Sequence, residues 1–282
     1  YLIFRLLFSP KMSVGIVETA EFKHLKVWKM LAAEFFSTFL FVNFGCCSIF
    51  FVDPISEDIR IALSFGLTLA GIFYTFYHVS GCHVNPAITV SAAVLGTIPV
   101  LRAICFILVQ VLASTLAMLL LMQITPESWQ TQRFCVPALE KDVTPFQGFV
   151  VEILGTFLLT LVFHSVSGDG RGFASVVIGL TLVACYMSVN RFAGCSLNPA
   201  RAFGPALVGR WFDNHWIYWI GPIVGAVLAA VVLLTVTLDE EEQASEMAVP
   251  TSKMPKTTSR SRVPTNKKEM VVPPGKGASV RV

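Results

Sequence analysis

Long apolar runs alternate along the chain with short polar breaks. Six runs are long enough to cross a bilayer as helices, at about residues 30–52, 59–77, 103–124, 148–167, 172–190 and 215–238, since a span needs ~20 apolar residues. Two further apolar stretches are too short. One follows Asn85-Pro86-Ala87 and lasts to about Leu95; the other follows Asn198-Pro199-Ala200 and lasts to about Val208. Proline has no backbone N–H, so it starts a helix well and continues one badly. Asparagine just before it is a favoured cap. Each triplet therefore predicts a half-helix that begins inside the membrane. Two half-helices of ~10 residues, placed end to end, make one span of ~30 Å.

The triplets belong to a wider repeat. At a shift of 113 positions, Gly66-Leu67-Thr68-Leu69 falls on Gly179-Leu180-Thr181-Leu182, Gly81-Cys82 on Gly194-Cys195, and the triplets coincide. Nine of these 22 positions are identical, where chance gives roughly one or two. Upstream, Glu34 with Thr38-Phe39-Leu40 matches Glu152 with Thr156-Phe157-Leu158 at a shift of 118. The chain is a duplicated unit whose loops differ in length. Short, Pro-interrupted segments at corresponding places in two halves point to a membrane permeation site.

Composition agrees with a membrane protein. Of 282 residues, 54% are hydrophobic and 14% charged, whereas a soluble domain carries about 25% charge. The leader is basic (Arg5, Lys11, Lys23, Lys26, Lys29), as is the tail (Lys253, Lys256, Arg260, Arg262, Lys267, Lys268), while the first loop holds Asp53, Glu57 and Asp58. Lys/Arg enrichment marks the cytoplasmic side. Both termini are thus expected inside, and the two halves take opposite topology. The expected fold is an all-α membrane protein with six transmembrane helices and two re-entrant half-helices in an inverted repeat. The expected organisation is a cytoplasmic leader over 1–29, a channel domain over 30–238 and a disordered cytoplasmic tail over 239–282. Within the channel domain, repeat one covers about 30–124 and repeat two about 148–238. The chain begins without methionine, as a fragment or a chain with translated upstream sequence would, and Met12 is one expected start.

The chemistry concentrates at the triplets. Where the half-helices meet, each N-terminus carries about half a positive charge from aligned peptide dipoles. Asn85 and Asn198 bring side-chain amides there, whose NH₂ groups can donate to water. Arg201 is an intramembrane charge beside a half-helix, which marks function. Glu34 and Glu152 lie inside spans as a symmetric pair and are expected to brace the re-entrant loops. Phe65 and Tyr186 read by composition as packing aromatics, and Cys195 as a buried thiol. The seven cysteines form no CxxC pair and mostly sit in apolar runs, as small buried hydrophobes do. His78, His83 and His164 show no metal-ligand grouping. Neither metal nor cofactor is expected, nor a nucleic-acid partner. No Ser/His or paired-Asp arrangement lies at matching depth, so an enzyme is not expected.

The paired triplets, Ser80-Gly81-Cys82-His83-Val84 before the first, Arg201 after the second, and His215-Trp216-Ile217-Tyr218-Trp219-Ile220-Gly221-Pro222 resemble the aquaporin (major intrinsic protein) family over about residues 28–238. The resemblance implies a passive channel that moves water in single file down osmotic gradients while rejecting ions. Half-helix dipoles and an arginine are the standing explanation of proton exclusion in aquaporins, and the resemblance brings that explanation with it. It also implies a selectivity filter of Phe65, Tyr186, Cys195 and Arg201, lipid surroundings in a plasma membrane, and a homotetramer with one pore per subunit. Tyr186 stands where water channels usually have His and glycerol channels Gly, so the pore is expected to be narrow. Ala202 and the Tyr218-Trp219 pair also depart from the glycerol-channel pattern. Two other readings are a channel for small neutral solutes and a membrane junction role. The three prolines of the 125–147 loop would suit the latter.

Overall fold

The computed structural model describes residues 19–49, 57–129, 134–167 and 171–247. The chain divides after Glu241, and the account below concerns the first unit. It is all-helical. Helices α1 (Leu25–Cys47), α2 (Glu57–Ser80), α3 (Pro86–Val94) and α4 (Val100–Ile124) form the first half, and α5 (Pro145–Val166), α6 (Arg171–Ala193), α7 (Pro199–Gly209) and α8 (Ile217–Met247) form the second. Single 3-10 turns lie at Thr19–Lys23 and Glu127–Trp129. Among the described residues, six helices are long and apolar enough to cross a membrane, and α3 and α7 are short.

Their outward faces carry bare apolar side chains, among them Trp28, Phe36, Leu67, Leu108, Leu154 and Leu180, all exposed. In water such a surface would aggregate; in lipid it is solvated. The polar side chains lie inside instead. Glu34, Gln110 and Glu152 are fully buried.

The two halves cross where their repeats align. α2 packs against α6, and the crossing centres on Gly66 and Gly179, the first matched pair of the repeat. A Cβ on Gly66 would sit 2.6 Å from the Gly179 carbonyl oxygen, and a Cβ on Gly179 would sit 2.6 Å from that of Gly66. Close backbone approach through small residues is how helices associate in lipid, where burial from water supplies no drive. Two other helix contacts use the same device. Gly225 brings α8 onto the backbone of α5 at Ile153, and Gly204 brings α7 onto α4 at Ser114.

Element bounds differ from the sequence reading at both ends. α1 starts at Leu25, inside the leader, because Lys26 and Lys29 can keep their charged heads in water while their stems cover the first turn. Ahead of it, Glu21 pairs with Arg102 of α4. α8 runs past residue 238 to Met247, through Glu, Gln, Ala and Met, all good helix formers. Of the tail expected to be disordered over 239–282, residues 239–247 are helical and 248–282 lie outside the described residues. Of the acidic first loop, Asp53 lies outside them too, while Glu57 and Asp58 open α2.

The glycine crossing predicts a paired outcome. Gly179→Leu places carbons where the Gly66 carbonyl oxygen and Ala70 already stand, so it should cost more than the 1–3 kcal/mol of ordinary overpacking and abolish recovery of folded protein. Gly71, on the same α2, faces nothing within 4 Å, so Gly71→Ala should leave stability unchanged or slightly raised. Fluorescence-detected size exclusion after a heat ramp measures both.

Candidate functional site: the junction of the two half-helices

The chain reaches α3 and α7 through two short segments, 81–84 and 194–197, that have no helix of their own. In each, three residues take left-handed backbone angles: Gly81 (φ 92°), Cys82 (49°) and Val84 (57°), and at the 113-residue shift Gly194 (75°), Cys195 (43°) and Leu197 (52°). Such angles are unfavourable for side chains with a Cβ, and most of all for β-branched Val84. They persist because buried carboxyl groups hold the N–H groups they turn inward. His83 N–H donates to Glu34 Oε1 and Val84 N–H to Glu34 Oε2, each at 2.9 Å. Ser196 N–H and Leu197 N–H donate to Glu152 Oε1 and Oε2, each at 2.7 Å. The donors correspond residue by residue in the repeat. Glu34 also accepts from Ser80 Oγ at 2.7 Å and Gln110 Nε2 at 2.8 Å.

Asn85 and Asn198 then cap the half-helices and join them. Asn85 Oδ1 accepts from Ala87 N–H at 2.9 Å, and Asn198 Oδ1 accepts from Ala200 and Arg201 N–H at 3.0 and 3.2 Å. Pro86 and Pro199 take the first helical position, where the missing N–H costs nothing. With each oxygen turned toward its own helix, the amide nitrogens face the opposite half. Asn85 Nδ2 donates to the Leu197 carbonyl at 2.7 Å, and Asn198 Nδ2 to the Val84 carbonyl at 2.9 Å. An amide nitrogen carries two hydrogens, so each asparagine keeps one more donor beyond this cross-link. Capping and donation therefore coexist in one side chain.

On the α7 side, Phe65, Tyr186 and Arg201 form a closed triangle. The Phe65 and Tyr186 rings stack at 4.8 Å with 11° between planes. Arg201 Nε donates to the Tyr186 hydroxyl at 3.3 Å, and its guanidinium lies 5.1 Å over the Phe65 ring centre. Arg201 Nη1 donates to the Cys135 carbonyl at 2.7 Å. Cys195 is buried in the same cluster as both rings. Phe65 lies deep because Gly45 makes room: a Cβ there would overlap the ring at 2.1 Å.

On the α3 side a cavity of about 390 Å³ opens, lined by His83, His164, Tyr77 and Arg102 among others. His83 Nδ1 lies 3.2 Å from Thr89 Oγ1, and His164 Nε2 lies 2.8 Å from Ser91 Oγ. Among the described residues, no three His, Cys, Asp or Glu side chains are placed to hold a metal.

The profile of the major intrinsic protein (MIP) family matches residues 21–233. The chain belongs to the major intrinsic protein family. It is 34% identical to aquaporin-2 of Bos taurus over 231 residues, covering 80% of this chain and 85% of that protein. It is 32% identical to the lens fiber major intrinsic protein of Ovis aries over 216 residues, covering 75% and 82%. In fold it is similar to the X-ray structure of the aquaglyceroporin from Plasmodium falciparum, with a TM-score of 0.70, 17% identity and coverage of 76% of this chain and 99% of that one. Membership makes this an integral, multi-pass membrane protein of the aquaporin fold and a channel for water or small solutes.

Within this aquaporin fold, all twelve residues singled out from sequence converge on the two re-entrant segments and their supports. The sequence reading gives four contributors no role, although Ser80 stands in the motif before the first triplet. Gln110 and Ser80 are ordinary polar residues in or beside spans, although a buried Gln in an apolar run was a signal. Gly45 shows only through the ring it admits. Cys135 contributes a backbone carbonyl, which no residue type reveals, and its side chain is bonded to Cys46. Cys82, Cys185 and Cys195 are buried free thiols.

Glu152→Gln tests the brace. The amide offers one acceptor oxygen and turns an NH₂ group toward a buried N–H, leaving a donor unpaired at about 1–3 kcal/mol. The variant should lose thermal stability by that order. Water permeability per folded protein should fall as the Asn198 register loosens. Stopped-flow swelling alongside a melting curve reads both quantities.

Proposed function

We propose that the chain is a water-selective channel in which Asn85 and Asn198 orient water at the centre and Phe65, Tyr186, Cys195 and Arg201 form the selectivity filter. The observation that carries the reading is the closed triangle of Phe65, Tyr186 and Arg201. Each side touches the other two, so the opening there depends on small side-chain movements. Such movements need make room only for a water of ~30 Å³. A glycerol would have to part the stacked rings and break the Tyr186–Arg201 hydrogen bond. The name of one relative, aquaporin-2, agrees with a water pore.

Charge works with width. The positive ends of α3 and α7 and the Arg201 guanidinium oppose cations. The second N–H of each asparagine can donate to a central water, which leaves that water's hydrogens pointing to the two mouths and opposes a proton relay. The basic leader and tail favour a cytoplasmic location for both termini. The Cys46–Cys135 disulfide supports the same orientation, because it lies on the opposite side, which would face the oxidising exterior of a plasma membrane. We assign a homotetramer with one pore per subunit on family grounds.

Osmotic swelling of proteoliposomes, with glycerol uptake measured beside it, is the test. Wild type should pass water well above protein-free vesicles and reject glycerol; rapid glycerol uptake would overturn water selectivity. Tyr186→Gly removes one side of the triangle. It should gain measurable glycerol and urea uptake while water flow stays within about tenfold, a barrier change of ~1.4 kcal/mol.

Mercury gives a separate check. Cys195 is buried beside the filter rings, so mercuric ion should inhibit water flow, and Cys195→Ser should remove that sensitivity. Full inhibition in the Ser variant would shift the site to another thiol, with Cys82 first by repeat symmetry.

A further inference from the structure

We propose that the Cys46–Cys135 disulfide is the positioning element for Arg201, and that it sets which neutral solutes the filter rejects. The inference rests on the filter reading above. It starts from how Arg201 is held. A guanidinium carries five N–H donors and no acceptor, and Arg201 is buried at 2% exposure. Among the described residues, no carboxylate forms an ion pair with it. Its hydrogen-bond acceptors are the Tyr186 hydroxyl at 3.3 Å and the Cys135 carbonyl at 2.7 Å. The carbonyl is the closer of the two, and unlike the hydroxyl it lies off the triangle.

That carbonyl belongs to a connection without helix or strand, and Cys135 itself takes a left-handed φ of 58°. A backbone group in such a segment can aim an arginine only if something fixes it. Farther along, the segment rests on the second half. Pro137 packs against Gly194 so closely that a Cβ there would lie 3.0 Å from the Pro137 Cα, and Glu140 N–H donates to the Phe192 carbonyl at 3.1 Å. These contacts hold 137–140. At residue 135 itself the anchor is covalent: the Cα atoms of Cys46 and Cys135 stand 5.4 Å apart across the disulfide, which links residues 89 positions apart.

The far end of the staple matters as much. Cys46 is on the last turn of α1, one residue after Gly45, which admits the Phe65 ring. Phe41, one turn earlier, packs edge-on against that ring at 5.2 Å. One stretch of α1 thus seats Phe65 directly and Arg201 through Cys135. The disulfide fixes the spacing between two sides of the triangle that come from different repeats. A dithiol would deliver two electrons and two protons, break the S–S bond to two thiols and leave as its own cyclic disulfide. The carbonyl could then withdraw, Arg201 would lose its aim, and the triangle would open to larger neutral solutes.

The full chain in proteoliposomes tests this. Alkylation with peptide mapping should find Cys46 and Cys135 linked, and free only after dithiothreitol. Reduction should raise glycerol uptake about tenfold, ~1.4 kcal/mol of barrier, with water flow changing less. It should also expose Arg201 to phenylglyoxal, read by peptide mass, and reoxidation should reverse both. The Cys46→Ser/Cys135→Ser double variant should behave as the reduced protein, and Cys47→Ser as the oxidised one. Where the double variant fails to fold, reversible reduction of wild type decides; where dithiothreitol does not free the pair, the double variant decides. Two free thiols in untreated protein would overturn the proposal. So would opening of the disulfide with glycerol uptake and Arg201 modification both unchanged. Oxidised wild type that passes no water would instead overturn the water-channel reading, and Arg201 modification would still report on positioning.

Discussion

Everything at the centre of this molecule depends on satisfying backbone N–H groups where neither a helix nor bulk water can. A chain that stops being helical at mid-membrane leaves polar groups exposed to hydrocarbon, at a cost of several kcal/mol each. Here two fully buried carboxyl groups meet that demand, Glu34 for residues 83 and 84 and Glu152 for residues 196 and 197. Their oxygens hold four N–H groups in left-handed segments that no ladder could hold. With the N–H groups turned toward the glutamates, Asn85 and Asn198 are left in register to cap their helices and reach across to the other half. The symmetry of the donors shows that duplication preserved this arrangement as a unit.

Much of the fold was legible because membrane physics leaves few solutions. Apolar length identified the spans, and the proline triplets identified the half-helices to within a residue: α3 ends at Val94 and α7 at Gly209, against expectations of Leu95 and Val208. The repeat was visible because the residues it preserves, Gly66 and Gly179 among them, sit where the halves touch and tolerate nothing larger. Helix ends facing water were less legible, since Lys26 belongs equally to a polar leader or to the first turn of α1. The site was legible where a side chain carries the chemistry. It was illegible where backbone does, at the Cys135 carbonyl, and where an absent side chain does, at Gly45. The pairing of Cys46 with Cys135 could not be read either, because seven scattered cysteines allow many pairings and burial alone explains most of them.

Tyr186 connects sequence choice to the geometry of the proposed filter. A ring there can stack on Phe65, and a hydroxyl at the ring's far end can reach Arg201; a glycine could do neither. The structure uses both. The triangle is thus held by a stack, a hydrogen bond and a cation–π contact of roughly 0.5–2 kcal/mol each. Interactions of that size yield to thermal motion individually but rarely all at once. A small opening that disturbs one edge is therefore frequent, and a wide one that disturbs all three is rare. In the proposed filter, width selectivity would follow from the number of contacts a solute must break, without any rigid ring of fixed diameter.

The two halves, although duplicated, are not supported equally. Glu34 accepts four hydrogen bonds, two of them from the side chains of Ser80 and Gln110, while the described bonds to Glu152 come from two backbone N–H groups. At the repeat position of Ser80 stands Ala193, which can donate nothing from its side chain. The first re-entrant segment is thus anchored from within, by polar side chains of its own half. The second, which carries Arg201, is instead overlain by the 134–140 connection, with Pro137 against Gly194 and the Cys135 carbonyl on Arg201. That difference has a physical consequence. An internal network of buried hydrogen bonds can change only if the core opens, whereas an overlying strap can shift while both helices stay in place. Selectivity placed on the strapped half, as proposed, would be adjustable without unfolding, and among the described residues the disulfide is the covalent tie that restrains the strap.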